Sequence, residues 1–369
     1  MVYLDYSATT QAEKEVLDSF IKASNYFGNP NSLHNLGTKS KNLIEASTKQ
    51  IKQILNLKDD EIIYTSGASE ANNLAIKGIT KYKNRGNHII TTHLEHSSVY
   101  GPLDYMQEQG YTIDYVPLKN GQVDLEALKN IITDKTILVT INAINSETGI
   151  RQPIEKIGEI LKKYPKVIFH SDVTQAIGKI NIDLTNVDLA SFSAHKFFGI
   201  KGIGALIKKK NIELEPLIHG GKSTTIYRSG TPATSLIVSM AKALRLAYED
   251  LEVEKIKNLN EKIKSHLEKY PNVYINSPKD AIPHILNISV IGVKPETILH
   301  ALEEDEIYIS TQSACATSNI SKAIKTLTND DQRAKSSLRI SISKKTTEDE
   351  INLFLQSFNK NYQRLVVKK

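Results

Sequence analysis

Only one of the 369 residues is a cysteine, Cys315, and that scarcity excludes two classes of protein. A single thiol cannot close an internal disulfide, so a disulfide-stapled secreted scaffold is ruled out. Nor can it supply a multi-cysteine zinc or iron–sulfur site from this chain alone. Long apolar runs are missing as well: none reaches the roughly 18–20 residues that span a bilayer, and no membrane association is expected. The first residues, MVYLDYSATT, carry no basic stretch leading into an apolar core. No signal peptide is therefore expected, and the default location is the reducing cytoplasm. There is no internal repeat, low-complexity tract or long Pro/Gly linker. Arginine is scarce: Arg85, Arg151, Arg228, Arg245, Arg333, Arg339 and Arg364 are the only ones among 47 basic residues. If a substrate carboxylate needs a bidentate clamp, few candidates exist.

The net charge of +6 is carried mostly by lysines spread along the chain. The tightest clusters, Lys208–Lys210 and Lys368–Lys369, are short of a nucleic-acid-binding arm. Direct nucleic-acid binding is not expected. The length suggests about two domains. Short apolar, β-branched runs at Glu61–Thr65, His88–Thr92, Thr112–Val116, Thr136–Ile141, Lys166–Ser171, Leu189–Phe192 and Ala205–Lys208 predict strands. Helical patterns lie between several of them, at Ser69–Tyr82, Gly101–Gln109, Leu125–Ile132 and Ile154–Lys163. Alternation of this kind predicts an α/β fold on a mostly parallel sheet. The charged stretch Tyr248–Tyr270 reads as an exposed connecting helix. Beyond it, strands near Val273–Asn276, Ile285–Val290 and Leu338–Ser343, with helices near Pro295–Glu303 and Thr347–Leu365, predict a smaller α+β domain.

The segment Asp188–Leu206, DLASFSAHKFFGIKGIGAL, ends an apolar strand in Ser193-Ala194-His195-Lys196. Burying an ammonium is costly, so a lysine directly after a buried strand suggests a reactive amine at a sheet edge. Upstream, KVIFHSDVTQ ends its strand in Asp172, 24 residues before Lys196. In a parallel sheet both would lie at the carboxyl edge, where ligands bind. Pyridoxal phosphate needs such a pair, a lysine for the Schiff base and a carboxylate for the pyridinium nitrogen. Its phosphate needs backbone N–H groups and hydroxyls at a helix start, and TSGASEA at 65–71 follows a strand and opens a helix.

A set of ordered motifs then carries a resemblance over nearly the whole chain. They are YLDYSATT (3–10), FGNPNSLH (27–34), TSGASEANNLAIKG (65–78), LEHSSV (94–99), NSETG (145–149), HSDVTQAIGK (170–179), SFSAHKFFGIKGIGAL (191–206), HGG (219–221), RSGT (228–231), SAC (313–315) and SSLRISIS (336–343). The sequence resembles the cysteine desulfurases that feed iron–sulfur assembly and tRNA thiolation, within the class V aminotransferase-like enzymes. The resemblance implies the pyridoxal-phosphate-dependent transferase fold of type I. A large domain at 13–255 would hold a mostly parallel seven-stranded sheet. Residues 1–12 and 256–369 would form a smaller domain carrying the catalytic cysteine. It also implies roles. Lys196 would be the Schiff-base lysine, Asp172 the partner of the ring nitrogen and Gln175 that of the phenolic oxygen. His96 would stack on the ring and assist proton transfer. Ala68, Ser69, Ser193 and His195 would hold the phosphate, with Thr231 from a second subunit of a homodimer. Asn145 would sit near the ring oxygen and substrate, Arg339 would clamp the α-carboxylate of L-cysteine, and Asn31 would lie at the substrate site. Cys315 would receive the substrate sulfur as a persulfide, leaving L-alanine, and pass it to an acceptor protein.

The sequence departs from the family pattern at three places. Gln312 stands where a glycine is usual before the cysteine. Lys222-Ser223-Thr224 follows the histidine–glycine motif in place of Gly-Gln-Glu. Ser146 replaces an asparagine and Ala143 a common histidine. The other readings of the same residues are a selenocysteine lyase, a cysteine-sulfinate desulfinase or an aminotransferase. A catalytically silent homologue that binds a sulfur-transfer partner is the reading outside the enzymes.

Overall fold

Seven of the apolar runs form one sheet in a computed structural model that describes residues 1–311 and 320–367. In chain order its strands are β1 (Asp60–Thr65), β2 (His88–Thr91), β3 (Thr112–Tyr115), β4 (Thr136–Thr140), β5 (Ile168–Asp172), β6 (Leu189–Ser193) and β7 (Gly204–Lys209). Their spatial order is β1-β7-β6-β5-β4-β2-β3. Only β7 runs against its neighbours; the other pairings are parallel. The mostly parallel sheet expected from the alternation of elements is thus present.

Except for the exposed edge strand β3, the strands are largely apolar on both faces because both faces are covered. Tyr64, Ile90, Val139, Phe169, Ala190, Phe192 and Ile207 point into one core, together with Ile51, Ile154 and Met240 from helices on that side. Ile63, Ile89, Leu138, Ile168, Leu189 and Leu206, their alternate neighbours, enter the opposite layer with Leu74, Val99 and Leu103. Helix Ala68–Gly78 replaces the longer pattern expected over 69–82, because the chain tightens into a 3-10 turn over Ile79–Arg85. Helices Lys14–Ser24, Asn35–Ile54 and Thr234–Glu249, for which the sequence reading names no element, pack together on the first side.

The stretch expected as one exposed helix over 248–270 is two elements. Helix Thr234–Glu249 stops there, Glu252 adopts a left-handed φ of 42°, and a second helix runs over Val253–Leu267. Ile256, Leu259, Ile263 and Leu267 recur on one face and are buried, so this helix is half core rather than exposed. They join Val2, Leu4, Leu286, Leu338, Ile340, Phe354 and Phe358 in a separate hydrophobic cluster. A three-stranded antiparallel sheet, Val273–Ile275, Ile285–Val290 and Ser337–Ser341, lies in it. The N-terminal Val2–Tyr3 pairs with Ile307–Tyr308, and Asp5 bridges to Ser341, so the first residues belong physically to this second cluster.

Candidate active site

The sheet register assembles the site. Gly204 of β7 pairs with Thr65 on one side and Ser193 on the other, so β1 and β6 end together at one edge. Parallel pairing brings the ends of β5, β4 and β2 to that edge. Gly204 has to be glycine: a Cβ there would lie 2.5 Å from the Phe192 carbonyl oxygen and 2.7 Å from the Gly67 Cα. Over this edge lies a cavity of about 420 Å³, lined by Ser66–Ser69, His96, Asp172, Gln175, Ser193, His195, Lys196 and Arg339, among others.

Lys196 sits in a single 3-10 turn, Ala194–Lys196, directly after β6. Its Nζ donates to the carbonyls of Ser7 (2.7 Å) and Ala8 (2.8 Å), so the N-terminal segment closes over it. The turn is tight. Phe198 takes a left-handed φ of 64°, a strained geometry for a bulky residue, and its N–H donates to Thr10 Oγ1.

Asp172 ends β5 and is buried. Its Oδ1 accepts from the Thr174 N–H (3.0 Å) and its Oδ2 from Asn72 Nδ2 (2.8 Å). Asn72 Nδ2 also donates to Ser98 Oγ (2.9 Å), which contacts His96 Nδ1 (2.8 Å). Asn72 therefore couples Asp172 to His96. Sequence reasoning missed it, although it stands in the quoted 65–78 motif. His96 caps helix Ser97–Glu108, its Nδ1 accepting from the Ser98 N–H. That places the proton of the neutral ring on Nε2. Burial holds its pKa below the ordinary value, with Lys196 and Arg339 acting in the same direction and Asp172 opposing them, so the ring is neutral near pH 7.

Helix Ala68–Gly78 opens toward the cavity with no side-chain cap at Gly67, which leaves its first N–H groups for an anion. Ser193 Oγ stands beside Gly67, 3.5 Å from where a Cβ would project. His195 Nδ1 contacts Thr9 Oγ1 (3.1 Å). Burial, then Lys196, Lys201 and Lys179, push its pKa down to about 4. At neutral pH it therefore offers an uncharged ring.

Arg339, at 1% exposure, is the largest fully buried side chain among the described residues. Its Nη2 donates to Asp5 Oδ1 (2.8 Å) and its Nη1 to the Ser146 carbonyl (3.1 Å), while the buried Nε has no partner. An orphan guanidinium N–H on a cavity wall suits an anionic ligand. The Ser146 contact is made by the backbone, so the departure at that position leaves it intact. Ala143 is buried in the core, away from the cavity lining.

Not every expected residue meets here. Asn145 is buried and does not line the cavity, although its neighbours Ile144 and Ser146 do; its Oδ1 accepts from Glu147 N, Thr148 N and Thr148 Oγ1, and its Nδ2 donates to Leu94 O. Asn31 is exposed and lines a separate groove with Lys222, Ser223 and Thr224. Thr231 is exposed in a small pocket behind Ser66 and Gly202. Cys315 and Gln312 lie outside the described residues. The flanks of their segment are anchored at the cavity wall: Ser310 exchanges backbone hydrogen bonds with Arg339, and Ser321 Oγ donates to Glu147 Oε2.

Comparison with known proteins agrees with this geometry. A family model described as class-V aminotransferase matches residues 2–354. The chain is 40% identical over 368 residues to a protein of Clostridium botulinum named cysteine desulfurase IscS, covering 96% of this chain and 92% of that one. A solved structure titled NIFS-like protein superposes with a TM-score of 0.93 at 34% identity, covering 99% of this chain and all of that one. Another, titled SspA in complex with cysteine, gives a TM-score of 0.81 at 33% identity over 93% of this chain and 99% of its own.

Proposed function

The chain belongs to the class-V aminotransferase family, and from that premise we infer that it is a cysteine desulfurase dependent on pyridoxal phosphate, acting on L-cysteine and supplying sulfur. The observation that carries the reading is the convergence of Lys196, Asp172 and Arg339 on one cavity at the carboxyl edge of the sheet. The residues fit the cofactor. Asp172 would hold a proton on a ring nitrogen, Gln175 would face the phenolic oxygen, and His96 would cover the ring. The N–H groups at Ala68 and Ser69, with Ser193 and His195, would cradle the phosphate. The cofactor, when bound, supplies an electron sink for the charge released at the substrate Cα.

The protein's own groups do the rest. Arg339 would bind the substrate carboxylate, with its position fixed by Asp5 and by the Ser146 carbonyl. The Lys196 amine would remove the Cα proton and return it, and neutral His96 would assist that transfer as a hydrogen-bond donor through its Nε2–H. Cys315, as thiolate, would take the substrate sulfur as a persulfide and leave alanine. We place the acceptor among iron–sulfur scaffold or tRNA-thiolation proteins, and the protein in the cytoplasm, where a lone thiol stays reduced.

The separate cluster of Val2, Leu4, Ile256, Leu286 and Phe354 supports a division at 13–255 against 1–12 with 256–369, with Ile282 and Ile285 packing across into the larger core. Phe27, Leu33 and Ile226, at 79%, 99% and 61% exposure, are large apolar side chains left to solvent near Asn31 and Thr224. They support burial in a homodimer, in which the partner subunit's Thr231 would reach the phosphate.

The test is direct. Purified protein given pyridoxal phosphate is expected to acquire a visible absorption band and to release alanine from L-cysteine, and Lys196→Ala should abolish both. Wild-type protein that takes up no cofactor, or releases no alanine, would overturn the reading.

A further inference from the structure

Helix-like turns after Asp172 carry a second lysine that the reaction outlined above does not use. Lys179 is 7% exposed. It follows Gly178, whose φ of 74° and close packing on Phe197 steer the chain inward. Its Nζ donates to Gln175 Oε1. Among the described residues no carboxylate lies within ion-pair reach of it. The ionisable groups whose charges bear on it or feel it are all basic: Lys196, Arg339, His195 and His284. A buried amine in such surroundings is costly to keep, and burial, then Lys196 and Arg339, push its pKa well below the usual lysine range.

The hydrogen bonds around Gln175 show what it does. Gln175 Nε2 donates to the Ser7 carbonyl (3.0 Å), an acceptor that can never donate. The amide oxygen must then face the other way, where it accepts from Lys179 Nζ and from Ser7 Oγ (3.3 Å). With the oxygen engaged twice and one amide hydrogen on Ser7, the second amide hydrogen is left for the cavity that Gln175 lines. Were the amide to flip, its oxygen would meet the Ser7 carbonyl, two acceptors face to face, and the Lys179 N–H would lose the oxygen it donates to.

We propose that Lys179 is a positioning residue that locks the Gln175 carboxamide with an N–H aimed into the cavity, so that the site selects a ligand bearing a hydrogen-bond acceptor at that point. The inference rests on the cofactor reading above, in which the acceptor is the phenolic oxygen of pyridoxal phosphate. Methionine at 179 would match the lysine stem in volume without a donor. Lys179→Met is expected to weaken pyridoxal phosphate binding to the apoprotein about tenfold, the loss of one oriented hydrogen bond. It should also displace the pH midpoint of the bound cofactor's visible band. In a Gln175→Ala background, Lys179→Met should change neither quantity further, because the group it orients is gone. Lys179→Gln keeps an N–H donor of similar reach and is expected to recover most of the affinity, and it serves as the reference should the methionine variant not fold.

Wild-type affinity and an unmoved band in Lys179→Met would overturn the proposal while leaving the enzyme reading intact. So would equal losses with and without Gln175, or Lys179→Gln binding with wild-type Gln175 as poorly as Gln175→Ala. Wild-type protein that binds no pyridoxal phosphate would overturn the enzyme reading and this inference with it.

Discussion

Arg339 Nη2 lies 2.8 Å from Asp5 Oδ1, so the residue proposed to clamp the substrate is itself held by the first turn of the chain. The pair joins positions 334 residues apart in a partly buried setting, and Asp5 is further fixed by its bridge to Ser341. Removing the negative charge leaves only a neutral amide oxygen and the Ser146 carbonyl to orient the guanidinium, and hydrogen bonds to charged groups are worth about 1.5–3 kcal/mol. Asp5→Asn is therefore expected to raise KM for cysteine roughly tenfold or more with a smaller fall in kcat, measured by alanine release. Equal falls in kcat with KM unchanged would assign Asp5 to the chemistry instead of the clamp.

Asn72 gives the second prediction. Its Nδ2 donates both to Asp172 Oδ2 and to Ser98 Oγ, and no other described side chain couples those two. Asn72→Ala strips a donor from a buried carboxylate and unlinks it from the His96 cap. An unsatisfied buried group of this kind costs about 1–3 kcal/mol. Activity should fall by about tenfold or more, and the pH dependence of the cofactor band should shift. A variant with wild-type spectrum and turnover would show that Asp172 needs only the Thr174 N–H.

These two residues show where legibility stopped. Six of the seven strands of the sheet read out well because they are largely buried on both faces and bounded by turns, and the exposed edge strand Thr112–Tyr115 read out from its β-branched and aromatic residues. Lys196 and Asp172 read out because each follows such a run. Helix Asn35–Ile54 did not, since only Gly37, Ser40, Ile44, Ser47 and Ile51 are buried along its twenty residues and three of those are small or polar. Helix Val253–Leu267 was seen, but its high charge masked a buried face. Asn72 stands 26 residues from Ser98 and 100 from Asp172, a meeting that only the folded sheet creates. Asn31 came from resemblance alone, and within one protomer the structure sets it in a separate groove.

Buried histidines govern the acid limb of stability. His284 is almost fully buried, its Nδ1 has no partner, and burial, with Lys179 adding, lowers its pKa to about 3. His170, between Thr140 Oγ1 and Ser191 Oγ, is lowered to about 4 by burial, with Asp172 opposing. An unfolded histidine titrates near 6.5. The folded form thus binds fewer protons than the unfolded chain between those values. The stabilising contribution is fully present above pH 6.5 and is lost as pH falls toward the folded values. Each ring contributes a slope approaching about 1.4 kcal/mol per pH unit in that window. His284→Asn, which does not titrate, should flatten the fall of melting temperature between pH 6.5 and 4; an unchanged slope would remove His284 from the account.

Gly204 ties the sheet to the turn that opens helix Ala68–Gly78. A methyl group there meets backbone at Phe192 and at Gly67, neither of which can swing aside. Gly204→Ala is expected to destabilise the protein by about 1–3 kcal/mol in urea unfolding, the usual cost of overpacking. It should also weaken cofactor binding by displacing Gly67 from the start of the helix. A stability loss with unchanged affinity would show that the turn moves independently of the strand.

The reading of Cys315 separates the leading function from its competitors within the same fold. In the proposed reaction Lys196, Asp172 and Arg339, with the cofactor, would bind an amino acid and exchange its Cα proton, and those steps would need no thiol. Only removal of the substrate sulfur calls on Cys315. Cys315→Ser should therefore retain exchange of the Cα hydrogen with solvent deuterium in bound substrate, while alanine release from cysteine falls by about 100-fold or more, as expected when a nucleophile is replaced by a weaker one. Loss of exchange together with release would mean that the substitution had damaged the cavity itself. Full alanine release in the variant would mean that sulfur leaves without a persulfide on this residue, which is the behaviour of a selenocysteine lyase or sulfinate desulfinase. The comparison of exchange with release in one variant thus decides between a sulfur carrier and an enzyme that only cleaves the Cβ–S bond.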